Sequence, residues 1–320
     1  PARDLRASTL MRVVFAGTPA VAVPALRAVL GSAHEVIAVV TRPDAPAGRG
    51  RSVRRSPVGA VADELGIPVL MPDRPRDADF REQLAQLAPD VCPVVAYGAL
   101  IPGSVLQIPR IGWVNLHFSL LPAWRGAAPV QHAIMHGDQV TGATTFLLDE
   151  GMDTGPILGT MTQTISDHDT SGALLDRLAE GGGGLLVATL DALAQGELTP
   201  TAQPGEGVSL APKISVEDAR VRWHEPAFAV DRRVRGVTPS PGAWTLFRDQ
   251  RLKLGPVTMV DVDQQGGGTP GVLTVEKSGV QVQTGAGRVL LGSVQPQGRK
   301  AMAAADWARG SRIEQGEVFG

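Results

Sequence analysis

Asn115 and His117 stand two residues apart in a short run that opens with the apolar pair Trp113 and Val114. In an extended strand, residues at positions i and i+2 point to the same face, so this run is predicted to place an amide beside an imidazole. An amide N–H can donate to a developing oxyanion, and an imidazole can donate or exchange a proton. The pair therefore suits chemistry at a carbonyl carbon.

Three acidic residues, Asp149, Glu150 and Asp153, follow the next predicted strand, Gly142 to Leu148. They lie in a glycine-punctuated turn, where parallel strands usually present catalytic groups. A carboxylate close to His117 would orient its imidazole and favour the protonated form. Spacing alone does not rank the three acids.

No serine or cysteine stands in a recognisable nucleophile elbow, so a covalent enzyme intermediate is not indicated. We interpret the pattern as acyl transfer by direct attack, with an amine of the acceptor as the nucleophile. Ser119 to Gly126 is rich in turn residues and is predicted to form a loop over the site. Trp124 and Arg125 in this loop either contact a ligand or pin the loop, and the sequence leaves both open.

The elements around this stretch alternate between strand and helix. Apolar runs at Arg12–Ala16 and Val36–Val40, with a helical pattern from Ala20 to Leu30 between them, predict the start of a parallel α/β sheet. Gly17 does not open a Gly-x-Gly-x-x-Gly motif, and Arg42 rather than an acid follows the second strand, so NAD binding is rejected.

Composition is that of a globular protein large enough for two domains. The chain has 320 residues, of which 43% are hydrophobic and 19% charged, with a formal net charge of -2. Cys92 is the one cysteine, and its apolar neighbours predict a buried thiol in a reducing compartment. With no apolar run of membrane-spanning length, we expect a cytoplasmic monomer without a membrane partner.

The stretch from Arg42 to Arg55 holds five arginines against one acid, Asp44, among prolines and glycines. Such a loop is either a solvated linker or an arm that binds a polyanion. Arg232, Arg233 and Arg235 present the same choice later in the chain, between a solvated face and weak contacts to a nucleic-acid backbone.

Further along, a helix from Ser171 to about Leu193 contains the glycine run Gly181 to Gly184, where we expect a kink or break. The segment Thr199 to Ser215 has the proline and glycine content of an interdomain linker. After it come short strand-like runs separated by turns, the pattern of a small antiparallel barrel. His132 and His136 have the spacing of paired zinc ligands, but Ala133 stands where a metalloprotease motif needs Glu, so no metal is expected.

The segments NLHFSLLPAWRGAAPVQ and DEGMDTGPI resemble the folate-dependent formyltransferases, and FAGTP with RPDAPAGRGR narrows the resemblance to the methionyl-tRNA formyltransferase branch. The resemblance runs from Met11 nearly to the C-terminus. It implies an α/β fold with a Rossmann-like parallel sheet domain over residues 11–198, a linker at 199–215, and an OB-like β-barrel domain that binds tRNA over 216–320.

The resemblance also assigns residues. It makes Asn115, His117 and Asp153 catalytic, and it implies folate binding by the loop residues Ser119, Leu120, Leu121 and Pro122. The early arginine-rich loop, with Arg42, Arg49 and Arg51, becomes the tRNA-binding element. Phe118 departs from the pattern, because relatives often carry a small residue at this position.

The resulting hypothesis is transfer of a formyl group from 10-formyltetrahydrofolate, consumed as a cosubstrate, to the α-amino group of methionyl initiator tRNA. A first alternative is the same chemistry on a small amine, either glycinamide ribonucleotide or a sugar nucleotide; the basic loop and the second domain argue against it. A second alternative is an RNA-binding regulator with an inactive enzyme fold. The intact set of Asn115, His117 and Asp153 argues against that one.

Overall fold

A computed structural model describes residues 10–47, 52–260, 268–277 and 279–320. The chain divides into two compact units, whose segments alternate along the sequence. The first consists of Pro1–Gly126, Val140–Thr164 and Leu175–Leu210, and the second of Ala127–Gln139, Ile165–Leu174 and Ala211–Gly320. The domain boundaries at 198 and 215 stay a prediction.

Strands and helices alternate through the first part of the chain, and most of them belong to the first unit. In chain order they are β1 Arg12–Gly17, a 3-10 turn Ala20–Ala22, α1 Val23–Leu30, β2 Glu35–Val40, β3 Ala45–Ala47, β4 Ser52–Arg54, α2 Pro57–Glu64, β5 Val69–Leu70, α3 Ala78–Leu87, β6 Val91–Val95, α4 Gly103–Leu106, β7 Gly112–His117, α5 Pro129–His136, β8 Val140–Leu147, β9 Ile157–Thr164 and α6 Ser171–Gln195. Helix α5 and the first turn of α6 belong to the second unit.

One seven-stranded sheet, in the order β5-β2-β1-β6-β7-β8-β9, forms the centre of the first unit. Strands β5, β2, β1, β6 and β7 run parallel, which confirms the predicted Rossmann-like sheet. The expectation that the strand before the acidic turn is parallel was wrong, because β8 runs antiparallel to β7. The chain enters β8 at the end of the sheet where β7 finishes, so His117 lies opposite Thr144.

Strands β1, β2 and β6 are apolar apart from Arg12 and Glu35 at the starts of β1 and β2, as expected for parallel strands covered on both faces. Every residue of β6 is buried, including Cys92, so the prediction of a buried thiol is confirmed. Burial raises the pKa of the Cys92 thiol well above its ordinary value. Strand β9, at the sheet edge, alternates between buried or half-buried and exposed positions along most of its length.

Helix α6 is continuous over 25 residues, so of the predicted kink or break at its four glycines the break was wrong, and the kink stays a prediction. Three of these glycines face close neighbours within the first unit, and a Cβ at Gly181 would lie 2.7 Å from Cε of Met161 on β9. A Cβ at Gly182 would lie 2.9 Å from Cδ2 of Leu116 on β7, and one at Gly183 would lie 3.1 Å from Cβ of Ala28 on α1. Packing against the sheet and α1 offsets the low helix propensity of glycine, so the helix continues through the run.

The second unit contains one further helix, a series of short antiparallel strands and a final helix. In chain order they are α7 Ala227–Gly236, β10 Trp244–Phe247, β11 Gln250–Leu254, β12 Val257–Val260, β13 Leu273–Glu276, β14 Gly279–Gln283, β15 Arg288–Leu291, β16 Ser293–Pro296, β17 Met302–Ala303 and α8 Ala304–Ser311.

These strands form two four-stranded antiparallel sheets, in the orders β10-β11-β16-β17 and β12-β15-β14-β13. The predicted antiparallel domain is therefore present, whereas closure into a barrel stays a prediction. Its core contains an aromatic cluster in which Trp223 stacks on Phe319 at 5.3 Å between ring centroids, and Phe247 meets Trp307 edge-on at 4.9 Å. Strands β16 and β17 and helix α8 were not predicted.

Helix α5 carries His132 and His136, and both imidazoles bond to main-chain oxygens. Nε2 of His132 lies 3.0 Å from the Pro212 carbonyl, and Nδ1 of His136 lies 2.9 Å from the His132 carbonyl. Across the described ranges, no group of three or more His, Cys, Asp or Glu is arranged to hold a metal ion. Within those same ranges, no helix has both the length and the apolar character needed to cross a membrane.

Candidate active site

His117 is the last residue of β7, and its buried imidazole is fixed by one hydrogen bond. Nε2 lies 2.9 Å from the carbonyl oxygen of Trp124. A carbonyl oxygen can only accept, so Nε2 carries a proton and donates it. The ring also meets Phe146 edge-on, with centroids 6.5 Å apart. These contacts leave Nδ1 as the nitrogen that faces Asp153.

Asp153 is the acid that approaches His117. Its Oδ2 lies 3.8 Å from Nδ1 of His117, which is within ion-pair range but longer than a hydrogen bond. The same oxygen accepts a 2.8 Å hydrogen bond from the Gly126 N–H. Asp153 has a left-handed backbone, with φ of 53°. The loop after β8 therefore returns a carboxylate to the end of β7.

The two rival acids have other environments. Asp149 accepts hydrogen bonds within its own turn, from the Gly151 N–H at 3.0 Å and from the Thr154 hydroxyl at 2.7 Å. Glu150 is exposed. Of the three acids that the sequence left unranked, only Asp153 lies within ion-pair distance of His117 among the described contacts.

Asn115 precedes His117 by two residues on β7 and pairs with Phe146 of β8. Its side chain is half-buried, and the amide makes no hydrogen bond to any described part of the chain. The i, i+2 spacing places the amide on the same face of the strand as the His117 imidazole. Strand β7 includes both residues, as predicted, and the joint action of the amide and the imidazole stays a prediction.

The loop from Ser119 to Gly126 is held mainly by its own polar groups and by β8. The Ser119 hydroxyl, fully buried, donates to the Ala123 carbonyl at 2.6 Å. The Thr144 hydroxyl donates to the Ser119 carbonyl at 2.7 Å and accepts from the Leu121 N–H at 3.1 Å. The Ser119 hydroxyl is therefore committed to the loop.

The apolar residues of this loop differ in exposure. Leu121 and Pro122, joined by a cis peptide bond, are buried, whereas Leu120 is half-buried. Phe118, the residue that departs from the family pattern, is 7% exposed. Among the four residues that the resemblance assigns to folate, Leu120 has the most accessible side chain.

Two residues of the predicted linker, Gln203 and Ser209, form hydrogen bonds with the loop at Trp124 and Arg125. The Gln203 Oε1 accepts from Nη2 and Nε of Arg125 at 2.6 and 3.1 Å. The Ser209 hydroxyl accepts from the Trp124 N–H, and the Ser209 carbonyl from the Arg125 N–H, both at 2.9 Å. These bonds pin the loop to residues 203–209, and a ligand contact by Trp124 or Arg125 stays a prediction. Sequence reasoning missed Gln203 and Ser209, because nothing in their spacing connects them to the loop.

Of the three arginines predicted to bind tRNA, Arg42 lies in the part of the chain that the structure describes. Arg42 donates its N–H to the Thr18 hydroxyl and its Nη1 to the Asp73 carbonyl, both at 3.2 Å. Arg49 and Arg51 lie outside the described residues. Strands β3 and β4, on either side of them in sequence, pair antiparallel, which the sequence did not predict.

Two of the three arginines of α7, Arg233 and Arg235, are paired with acidic residues. Arg235 is buried and pairs with Asp231 at 2.8 Å, and Arg233 pairs with Glu225 at 3.1 Å. The Arg232 guanidinium lies 5.2 Å from the centroid of the Phe228 ring. Burial, as the largest influence, raises the pKa of the Asp231 carboxyl despite its bond to Arg235.

Comparison with known proteins assigns the family. The formyl transferase family model matches residues 11–190, and the model for the formyl transferase C-terminal domain matches residues 213–312. A methionyl-tRNA formyltransferase of Salinispora tropica is 62% identical over 312 residues, covering 97% of this chain and 100% of the relative. The chain belongs to the methionyl-tRNA formyltransferase family. This confirms the resemblance drawn from the motif segments of the sequence.

Solved structures with low sequence identity share the fold of this methionyl-tRNA formyltransferase family member. An N-formyltransferase from Helicobacter canadensis, solved in complex with folinic acid and dTDP-3-aminofucose, matches with a TM-score of 0.67 at 16% identity, over 90% of this chain and 100% of that chain. A variant of HypX from Aquifex aeolicus matches with a TM-score of 0.66 at 19% identity; the match covers 96% of this chain but only 49% of that longer one. At such identities the likeness concerns the fold alone.

Proposed function

We propose that this protein transfers the formyl group of 10-formyltetrahydrofolate to the α-amino group of methionyl initiator tRNA. The observation that carries the proposal is the 62% identity to a curated methionyl-tRNA formyltransferase over the relative's full length. The match includes the C-terminal region, which the formyl transferase C-terminal model also covers. The site geometry supports formyl transfer, and the full-length match supports tRNA over a small amine as the acceptor.

The bond between His117 and Trp124 determines how the imidazole can act. Because Nε2–H already donates to the Trp124 carbonyl, neutral His117 presents a bare Nδ1. That nitrogen can accept the proton that the attacking amine loses. The resulting imidazolium has an N–H on Nδ1 and can donate to the oxyanion on the formyl carbon, or return the proton to the leaving nitrogen.

Asn115 and Asp153 assist the proton transfer at Nδ1 of His117. The Asn115 amide, on the same strand face, is proposed as the second donor to the oxyanion. The Asp153 carboxylate, 3.8 Å from Nδ1, stabilises the imidazolium that forms during the reaction. Across the full transfer, the new C–N bond forms, the bond to the leaving nitrogen breaks, and one proton passes from amine to leaving nitrogen through His117.

The donor supplies the formyl group, and the loop from Ser119 to Pro122 is the proposed binding element for its folate. The N-formyltransferase of Helicobacter canadensis, which shares this fold, binds folinic acid in its solved complex. In this chain, buried Leu121 and Pro122 shape the loop, and half-buried Leu120 can offer an apolar surface. The Ser119 hydroxyl supports the loop from within by donating to the Ala123 carbonyl.

Arg42, Arg49 and Arg51 are the proposed contacts to tRNA. They belong to a segment with five arginines and one acid between positions 42 and 55. Arginine contacts to phosphates make binding steeply dependent on salt. The guanidinium of Arg55, by contrast, is paired with Asp63 at 2.7 Å and with Asp44 at 3.6 Å, so it is not included among the contacts.

A formyl-transfer assay tests the proposal, with each candidate acceptor supplied in a separate reaction. Purified protein is mixed with 10-formyltetrahydrofolate labelled in the formyl group and with one acceptor: methionyl initiator tRNA, glycinamide ribonucleotide or an amino-sugar nucleotide. We expect label on methionyl initiator tRNA and none above background on the small amines. Label on a small amine alone would support the alternative acceptor, and label on none would support an inactive fold.

A further inference from the structure

Residues 203–209, predicted to be linker, contact both loops that hold the His117–Asp153 pair. One end of the segment bonds to the loop that carries Asp153, and the other end bonds to the loop that carries Trp124. All of these residues belong to the first unit. The segment therefore has contacts to the partner of each nitrogen of the imidazole.

The amide of Gln203 makes four hydrogen bonds. Its nitrogen donates to the carbonyls of Asp153 and Gly155, each at 2.8 Å. Its oxygen accepts from Nη2 and Nε of Arg125 at 2.6 and 3.1 Å. The opposite amide orientation would place an oxygen against two carbonyl oxygens and an NH₂ group against a guanidinium, so the contacts fix the orientation. Gln203 thus joins the loop of Arg125 to the loop of Asp153.

Ser209 contacts Trp124, whose carbonyl is the hydrogen-bond partner of Nε2 of His117. Its hydroxyl accepts from the Trp124 N–H, and its carbonyl accepts from the next N–H, that of Arg125. Trp124 has a left-handed backbone, with φ of 60°, which non-glycine residues adopt rarely. Ser209 therefore holds the Trp124 peptide in the conformation whose carbonyl accepts from Nε2 of His117.

We propose that Gln203 and Ser209 are positioning residues for the reaction. Gln203 sets the position of the Asp153 carboxylate, and Ser209 sets the Trp124 carbonyl that keeps the proton on Nε2 of His117. This inference rests on the proposed function, because it concerns the proton transfer assigned there to Nδ1. Misplacement of a catalytic group by about 1 Å can cost about a hundredfold in rate, so small displacements of either loop matter.

The substitution Gln203→Glu separates positioning from simple anchoring of Arg125. A glutamate keeps the acceptor for the Arg125 guanidinium but loses the donor to the Asp153 and Gly155 carbonyls, and it faces them with a second oxygen. We expect kcat for formyl transfer to fall about 10- to 100-fold, with KM for both substrates within about twofold of wild type. Gln163→Glu is the matched control, because the Gln163 amide also donates to a main-chain carbonyl, that of Thr164.

The experiment on Ser209 variants reports the tautomer of the His117 imidazole directly. Spectra of ¹⁵N-histidine in the full-length protein, with His117 assigned through His117→Gln, report which ring nitrogen carries the proton. We expect neutral His117 to hold it on Nε2 in wild type and in Ser209→Thr, and to become a mixture of tautomers in Ser209→Ala. Ser32→Ala, which also removes a half-buried serine's bonds to main-chain groups, is the control.

The outcomes are distinguishable. Wild-type kcat in Gln203→Glu would show that Gln203 only anchors Arg125, and an unchanged Nε2–H signal in Ser209→Ala would show that Ser209 does not control the tautomer; either result overturns the proposal. If wild type fails to formylate methionyl initiator tRNA, the proposed function fails, while the spectra still decide the role of Ser209. If Gln203→Glu does not fold, the Ser209 pair of variants decides.

Discussion

The substitution Asp153→Asn removes one charge from the site and leaves its shape. The asparagine Oδ1 can still accept from the Gly126 N–H, which the Asp153 carboxylate holds at 2.8 Å. The change therefore isolates the electrostatic role of Asp153 toward His117 from its role in holding the loop.

The expected loss follows from the 3.8 Å distance between Oδ2 of Asp153 and Nδ1 of His117. Two unit charges at that separation interact by about 4 kcal/mol at an effective dielectric of about 20, and by about 1 kcal/mol in water. The Asp153 side chain is 17% exposed, so an intermediate value applies. About 2 to 3 kcal/mol of lost stabilisation of the imidazolium corresponds to a fall in kcat of about 30- to 150-fold.

Single-turnover formyl transfer measures the chemical step, and equilibrium binding measures whether either substrate is affected. We expect unchanged dissociation constants for the folate donor and the tRNA, and an unchanged melting temperature. Asp149→Asn is the matched control, because that carboxylate caps its own turn through Gly151 and Thr154. A single-turnover rate for Asp153→Asn within twofold of wild type, or a loss confined to binding, would refute an electrostatic role for this carboxylate.

Four further predictions concern other parts of the molecule. Asn115→Ala is expected to lower kcat by about a hundredfold or more with folding retained, because one oxyanion donor is lost; near-normal kcat would remove Asn115 from the mechanism. In α6, Gly184→Ala is expected to stabilise the protein by up to about 1 kcal/mol, since a Cβ there has open space, whereas Gly182→Ala is expected to destabilise it; denaturant unfolding measures both. The Cys92 thiol, whose pKa burial raises, is expected to react with a disulfide reagent only in denaturant. Arg49→Ala is expected to raise KM for tRNA and to lower the salt slope of tRNA binding by about one unit, with folate binding unchanged.

The sequence predicted most of the parallel sheet, because strands β1, β2 and β6 consist mainly of apolar runs. Val91–Val95 is an example, with all five residues buried. It also predicted that Asn115 and His117 share a strand face, since a two-residue spacing is a local property of extended chain. Predictions of this kind succeed because they depend on the backbone period and on burial, and both leave a pattern in consecutive residues.

The errors came from properties that depend on distant residues. The direction of β8 depends on where the chain re-enters the sheet, and the residues of β8 itself do not encode it. Helix propensity alone predicts that the glycine run interrupts α6. In the fold, Gly182 and Gly183 are positions at which the helix approaches β7 and α1 closely. Close packing therefore reverses the meaning of the same residues.

The linker prediction failed to recognise site residues for a related reason. A segment with prolines, glycines and no period is indistinguishable in sequence from a free connection, but its backbone and side-chain polar groups still need partners. Here the partners are far away in sequence: Ser209 bonds to a residue 85 positions earlier, and Gln203 to one 78 positions earlier. The tautomer of His117 is thus fixed by a carbonyl that is itself held by this segment. Motif residues can be recognised from local sequence, whereas the groups that set their protonation can be identified only from the folded chain.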